Sequence, residues 1–470
     1  MQKTLLWSKM LVRNFSHRRF FMTKKEKRRY KEKDRGIAGF MMITSHFFHS
    51  LREWIQQMED PRHQSYITYT QADLVSMGIL KNVCGQHSMR QMEENFNEQT
   101  CIDTLRILSG SRRLQEMPHY DTLNDYLEKL PPECLSSVRK KMVSSLIRSK
   151  QFNRARLQGK YWRVILDGTG LFCFKEKHCE NCLCTERTDK EGKKTKLYYH
   201  KVLEAKIVLG SSMAASLGTE FIENEKEDVS KQDCEINAAK RLMKRIKKEY
   251  PRLPVCIQGD ALYAAETIMH LCREKYHWEY LLSHKETRQK TVDESYEWIK
   301  SGEGAEKKEG LCREKGTGCY ANHVEETAGK REVMNVMEYE YETEKKGEKK
   351  KVRFRWISSL ELGRKSLEEM ILAGRGRWKI ENEGFNNQKN GIYRIEHLNS
   401  RNSTAMKNHY LLTQTADILM QLYLAWNPCR KKVKQSIKNT SSWLLESFRR
   451  RPVTEEDVSW INRYTTVYLE

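Results

Sequence analysis

Three acidic residues far apart in the chain are the candidates for chemistry. Asp167 ends the apolar run YWRVILDGTG, and Asp260 ends a second one, LPVCIQGDALY. Glu381 lies in the helical-looking stretch RWKIENEGFNNQK, residues 377–389, behind Arg377 and Trp378. Two aspartates at the ends of separate strands, with a late glutamate on a helix, suit a two-metal phosphoryl-transfer site. Such a site holds two divalent cations about 3.5–4 Å apart, one activating the attacking oxygen and one stabilising the leaving oxygen. Magnesium is hard and takes few protein oxygens, so two or three carboxylates suffice, with manganese as the substitute. An isolated Asp-Gly pair usually marks a turn. The apolar residues before Asp167 favour a strand end instead.

Positioning those residues takes an α/β framework. YWRVILDG and YYHKVLEAKIVLG read as strands rich in Val, Ile, Leu and Tyr. In KQDCEINAAKRLMKRIKKEY, residues 231–250, Ile236, Ala239, Leu242, Met243, Ile246 and Tyr250 fall on one helical face. The strand LPVCIQGD, the helix AAETIMHLCREK and the strand HWEYLLSH follow. That alternation predicts a parallel portion of sheet covered by helices, with sites at the carboxyl ends of its strands. Asp167 and Asp260 both occupy such ends.

The rest of the chain divides around this catalytic unit, 151–426. Residues 1–50 read as a flexible basic arm, with 13 Lys/Arg against 3 Asp/Glu in the first 35. Residues 51–150 read as helical: Leu74, Met77, Leu80 and Val83 recur at three-residue spacing. Leu123, Tyr126, Leu127 and Leu130 repeat at three and four before Pro131-Pro132, with Asp121 as an expected N-cap. This region is expected to bind DNA or to serve as a helical packing domain. Residues 285–350 are rich in Lys, Glu and Gly and read as an insertion, partly β and partly mobile; KVRFRWISS then resumes as a strand. HYLLTQTADILMQLYLAW, 409–426, reads as a core helix, and 427–470 as a basic tail.

The formal net charge is +22 over 470 residues. A charge that large predicts attraction to polyanions, above all nucleic acid, and leaves the fold open. No run approaches 18 uninterrupted apolar residues and no secretory signal is evident, so a cytoplasmic location is expected. Thirteen scattered cysteines suit a reducing compartment. Cys179 and Cys182 stand in Cys-x-x-Cys spacing, with Cys184, His178 and His200 nearby. Two readings stand: a structural zinc site, which would need a further Cys or His pair, or a cluster of reduced thiols. Cys312 and Cys319 are poorly spaced partners. No P-loop, dinucleotide fingerprint or serine-nucleophile motif occurs.

The order LDGTG, GDALY, RWKIE resembles the DDE transposases of bacterial insertion sequences, in the group with an insertion between the second Asp and the Glu. The resemblance covers about residues 60–425. HCENCLCTE, YYHKVLEAKIV, TEFIENE, KQDCEINAAKRL and WKIENEGFN fit one subgroup. It implies an RNase H-like mixed sheet flanked by helices, with Asp167, Asp260 and Glu381 binding two Mg²⁺ or Mn²⁺ ions. It also implies cleavage at transposon ends, strand transfer into target DNA, and a homodimer on terminal inverted repeats, close to the nucleoid. Arg377, four residues before Glu381, matches the family's phosphate-binding Arg. The family's Lys, seven after the Glu, falls on Gln388, with Lys389 one residue late. The aromatic three residues before the Arg is Gly374. These departures leave Glu383 as the competing third carboxylate. Tyr263 is either a DNA contact beside Asp260 or a core residue. Trp298, in the insertion, is either a base-stacking residue or core. Two other readings stay open: a non-catalytic DNA-binding derivative, and a nuclease that cuts without joining.

Overall fold

The computed structural model describes residues 36–176, 179–188, 191–210, 213–224, 233–285, 290–325, 333–345, 348–378, 384–426, 436–457 and 459. A helical layer comes first: α1 (Ile37–Phe47), α2 (Leu51–Gln56), α3 (Gln71–Val83), α4 (Met89–Phe96), α5 (Gln99–Ser109), α6 (Tyr120–Lys129) and α7 (Pro132–Arg148). The strands are β1 (Trp162–Phe174), β2 (Leu183–Thr188), β3 (Lys194–Val208), β4 (Ala214–Ile222), β5 (Val255–Gly259), β6 (Glu279–Ser283), β7 (Glu306–Leu311), β8 (Gly316–Glu325), β9 (Val333–Lys345) and β10 (Glu348–Ser358). Between and after them run α8 (Glu235–Glu249), α9 (Glu266–His270), α10 (Lys290–Ser301), α11 (Leu367–Arg375), α12 (Asn386–Asn390), α13 (Ser403–Trp426) and α14 (Ile437–Arg450).

The strands form a single mixed sheet in the order β2-β3-β1-β5-β6-β10-β9-β8-β7, with β4 also paired to β3. β1, β5 and β6 are parallel, and every residue of β5 is buried. Strands covered on both faces must be apolar on both, which is why LPVCIQGD reads as a continuous run. Val255 and Ile257 point into the main core, and Cys256 into a second one under α11. The sheet is thus flanked by helices on its two faces, as the strand-helix alternation predicts.

α13 is the hub of the helical layer. It is buried along most of its length, and α1, α3, α6 and α7 pack on it. Leu74, Met77, Leu80 and Val83 are all buried on α3, whose start is fixed by a Thr70–Asp73 capping box. The cap of α6 lies two residues before the expected one: His119 Nδ1 accepts the Asp121 N–H at 3.2 Å. Pro132 then opens α7 at its first turn, where its missing N–H costs nothing. Among the described residues no helix is long and apolar enough to cross a membrane.

Three expectations about organisation change. The arm is shorter than 1–50, because Ile37, Phe40, Met42 and Ile43 of α1 are buried against α13; residues 1–35 lie outside the described set. The tail contains α14, which seats Leu444 and Phe448 fully in the same core. In the segment 285–350, expected to be partly β and partly mobile, the described residues form α10, β7, β8, β9 and the start of β10, a wing of the sheet larger than the β part expected. Its strands β9 and β10 pair over eleven positions, and β10 joins β6. Helical layer and sheet share one continuous core, so 51–150 is packed onto the sheet.

Candidate active site

β1 and β5 are parallel neighbours, with Val164 opposite Ile257 and Ile165 opposite Gln258. Extended two residues past its last pair, that register aligns Asp167 with Asp260, on strands spaced about 4.8 Å apart. Side chains alternate across a strand, so Asp260 shares a face with Cys256 and Gln258, and Asp167 with Arg163 and Ile165. That face is the one α11 covers. Cys256 packs with Leu367, Met370 and Ile371, and Gln258 Nε2 donates to the Ala373 carbonyl at 2.9 Å. The two aspartates therefore stand side by side, but only Asp260 follows a strand end: Asp167 lies within β1, which runs on to Phe174 paired with β3, so the strand end expected after Asp167 is not there. Asp260 Oδ1 accepts the Leu262 N–H at 2.8 Å, which fixes its carboxylate as the chain turns.

A cavity of about 900 Å³ opens over the two aspartates. Asp167, Asp260, Arg377 and Lys389 all line it, so four of the residues singled out by sequence meet in one place. Glu381 and its competitor Glu383 lie outside the described residues; Trp378 before them and Phe385 after them line the cavity. Arg377 stacks on Trp378, 5.5 Å from the ring centroid. Lys389 also pairs with Glu396 at 2.8 Å.

The two departures from the family pattern have local causes. Gln388 is fully buried, its amide bonded to Gln414 and Asp417 of α13. One residue on, a helix has turned by about 100°, and Lys389 reaches the cavity. At Gly374 an added Cβ would lie 2.6 Å from the Trp356 indole. An aromatic there has no room, because Trp356 already fills the space.

Tyr263 and Trp298 do not reach the cavity. Tyr263 is fully buried and its hydroxyl donates to Glu235 Oε1 at 2.5 Å. Burial, then the Glu235 carboxylate, pushes that phenol well above its usual range. Lys201 bonds the other Glu235 oxygen. Gly168 sits within β1, not in a turn, and a Cβ there would meet the Glu235 carboxylate at 2.5 Å. The glycine after Asp167 is needed for this close approach. Trp298, on α10, is 77% exposed, so it is not core either.

Sequence reasoning missed Glu235, Trp378, Lys285 and Arg353, the last three lining the cavity. Trp378 adjoins Arg377 and could have been paired with it. Lys285 opens the segment read as an insertion, and Arg353 lies on the strand KVRFRWISS, in which no site residue was sought. Arg355, also at the cavity, is held by Asp293, Glu297 and Glu338. Burial raises Asp293, but Arg355 and then His284 outweigh it and hold the carboxyl below its usual range. A larger groove, about 1350 Å³, lies along the other side of α11 and is lined by Arg154, Arg156, Arg163, Arg313, Lys365 and Arg375. Glu314, Glu368 and Glu369 line it as well, and Asp167 and Asp260 do not.

Away from both, Cys179, Cys182 and His200 bring their ligand atoms within 4.8 Å of one another. Cys312 and Cys319 are on the wing and take no part in this group.

No protein-family model matches the chain, and no curated protein matches it in sequence. Among solved structures it is similar to a cryo-EM structure of the piggyBac transposase synaptic complex with hairpin DNA, at 11% identity. The match covers 90% of this chain and 84% of that one, with a TM-score of 0.43. A superposition that loose carries no weight for function.

Proposed function

We propose that this chain is a metal-dependent DNA phosphoryl transferase, a transposase of insertion-sequence type on an RNase H-like sheet. One observation carries the reading: Asp167 within β1 and Asp260 just past the end of its parallel neighbour β5, on strands about 4.8 Å apart, line one cavity with Arg377 and Lys389. Paired hard oxygens at that spacing fit two Mg²⁺ or Mn²⁺ ions, and Glu381 is the third carboxylate by sequence. Bound there, the cations would supply an activated attacking oxygen and neutralise charge on the leaving oxygen.

The protein's own residues bind and orient the DNA. Asp260 gives Oδ1 to the Leu262 N–H and keeps Oδ2 for a cation. Arg377, steadied on Trp378, and Lys389 take scissile-strand phosphates, the guanidinium in bidentate fashion. Lys285 and Arg353 extend that positive lining. Trp298 stacks an unpaired base, and Tyr263, through Glu235, shapes the backbone beside Asp167. Cleavage at the element end and transfer of the freed 3′-hydroxyl into target DNA are both in-line displacements that need no protein nucleophile. Two terminal inverted repeats must be held at once, which calls for a homodimer on DNA at the nucleoid.

The test is incubation with the element's own ends and Mg²⁺ or Mn²⁺, scoring nicks and joined products. Nicked ends alone would mean a nuclease. Specific binding without cleavage in either metal would mean a non-catalytic DNA-binding protein.

A further inference from the structure

We infer that Cys179, Cys182 and His200 hold a zinc ion that clips a basic hairpin to the strand next to the active site. Beyond Asp167, β1 runs on to Phe174, and the chain returns through β2 and β3. Cys179 and Cys182 lie in the turn before β2, where the Cys182 N–H reaches the Cys179 carbonyl at 3.4 Å. His200 is on β3. Cys182 and His200 are 3% and 5% exposed.

The three ligand atoms form a nearly equilateral triangle. Sγ of Cys179 is 3.5 Å from Sγ of Cys182 and 3.3 Å from His200 Nε2, and the remaining edge is 3.4 Å. Tetrahedral zinc, with Zn–S about 2.3 Å and Zn–N about 2.0–2.1 Å, sets S···S near about 3.8 Å and S···N near about 3.5 Å. All three edges sit a few tenths of an ångström inside those values. The circle through the three atoms has a radius of roughly 2.0 Å, so an ion slightly above their plane would meet all three at bonding length. A disulfide is excluded at this spacing, since its sulfurs lie about 2.05 Å apart.

The surroundings fix the ligands. Asn224 Nδ2 donates to the Cys182 carbonyl at 3.1 Å, anchoring the turn. The Phe172 ring meets His200 edge-on at 6.3 Å between centroids, which sets the imidazole plane. Among the described residues three protein ligands converge, and the fourth position is left to water or a further side chain. The ion would tie the β1–β2 turn to β3. Exposed Arg187, Lys193, Lys194 and Lys196 would then be presented rigidly on the hairpin that continues the Asp167 strand. This site stands on its own geometry and does not depend on the catalytic reading.

The full chain, purified under reducing conditions from zinc-supplemented cells, should carry about one zinc per chain by elemental analysis. X-ray absorption should report two sulfur and at least one imidazole neighbour. Cys182→Ser and His200→Ala should lose the metal, while Cys184→Ser keeps it. Should the losing variants fold poorly, the intact chain decides: Co²⁺ exchanged for zinc should give tetrahedral d–d absorption and a thiolate charge-transfer band. Chelation should expose the hairpin to protease at least several-fold faster. Substoichiometric zinc with no Co²⁺ spectrum, zinc retained in Cys182→Ser, or a Cys179–Cys182 disulfide in the purified chain would each overturn the inference.

Discussion

The parallel centre of the sheet and its antiparallel wing solve the same problem in opposite ways. β5 buries all its residues between two apolar cores. β10 is two-faced: Val352, Phe354 and Trp356 alternate with Lys351, Arg353 and Arg355. On one side Tyr341, Phe354 and Trp356 stack in a row, with the Arg375 guanidinium over Tyr339, Tyr341 and Phe354. On the other, Arg355 meets Glu338, and Arg353 and Lys351 meet Glu340. The centre is held by burial and the wing partly by charge pairs across strands. A highly charged strand can therefore be as well ordered as an apolar one, provided each charge faces its opposite.

The sharpest break between the regions should be functional. Asp167→Asn and Asp260→Asn keep size and lose the charge a cation needs. Each should lower end cleavage by on the order of a thousandfold or more, as even one oxyanion donor is worth about 10²–10³. End binding and the unfolding midpoint should hardly move. Cleavage that survives both changes would remove the two aspartates from the chemistry.

Within the wing the largest effect should be structural. Arg355 is 8% exposed and lies against Asp293 and Glu338, at 7% and 5%. Arg355→Met strands two buried carboxylates and should cost about 3–5 kcal/mol in denaturant unfolding. The same group carries a pH signature. Asp293 is held below its usual value in the fold by Arg355, with His284, Glu297 and Glu338 also facing the group. Its contribution is therefore complete above the unfolded carboxyl's pKa and is lost as pH falls through the folded one. Acid melts of the wild type should weaken over that interval, and those of Arg355→Met should not share the step.

A smaller effect separates binding from folding. Trp298→Ala should leave stability unchanged, since the indole is 77% exposed, and weaken single-strand binding by about 1–3 kcal/mol if a base stacks there. An unchanged affinity would leave the tryptophan without a nucleic-acid role. The smallest effect belongs to the wing's outer charges. Arg353 and Lys351 are 53% and 61% exposed, and replacing either with Ala should cost about 0–1 kcal/mol. A loss as large as that of Arg355→Met would mean that the outer pairs are as structural as the inner one.

The wing also marks where sequence reading fell short. Composition, rich in Lys, Glu and Gly, suggested an insertion only partly β. The period of two was nevertheless present, with Met337, Tyr339 and Tyr341 alternating with Glu338, Glu340 and Glu342. Alternation is the stronger signal, because it states which face each residue must take. β4 was missed for a different reason: Gly218 interrupts its apolar run, and only the tight seat of Leu242, 2.8 Å from where a Cβ would be, explains that glycine.

By itself, the sequence determined whatever depends on near neighbours. The apolar runs ending at Asp167 and Asp260, the amphipathic face of α8 and the register of α3 all follow from local periodicity. Tertiary structure alone decided the rest. It turned Lys389 rather than position 388 to the cavity, because α13 claims Gln388. It left no side-chain room at Gly374, because Trp356 arrives from β10. It drew Tyr263 away to Glu235 and folded α1 and α14 into the shared core. Each outcome is set by a partner distant in the chain, and the chain's own periodicity cannot specify which partner that will be.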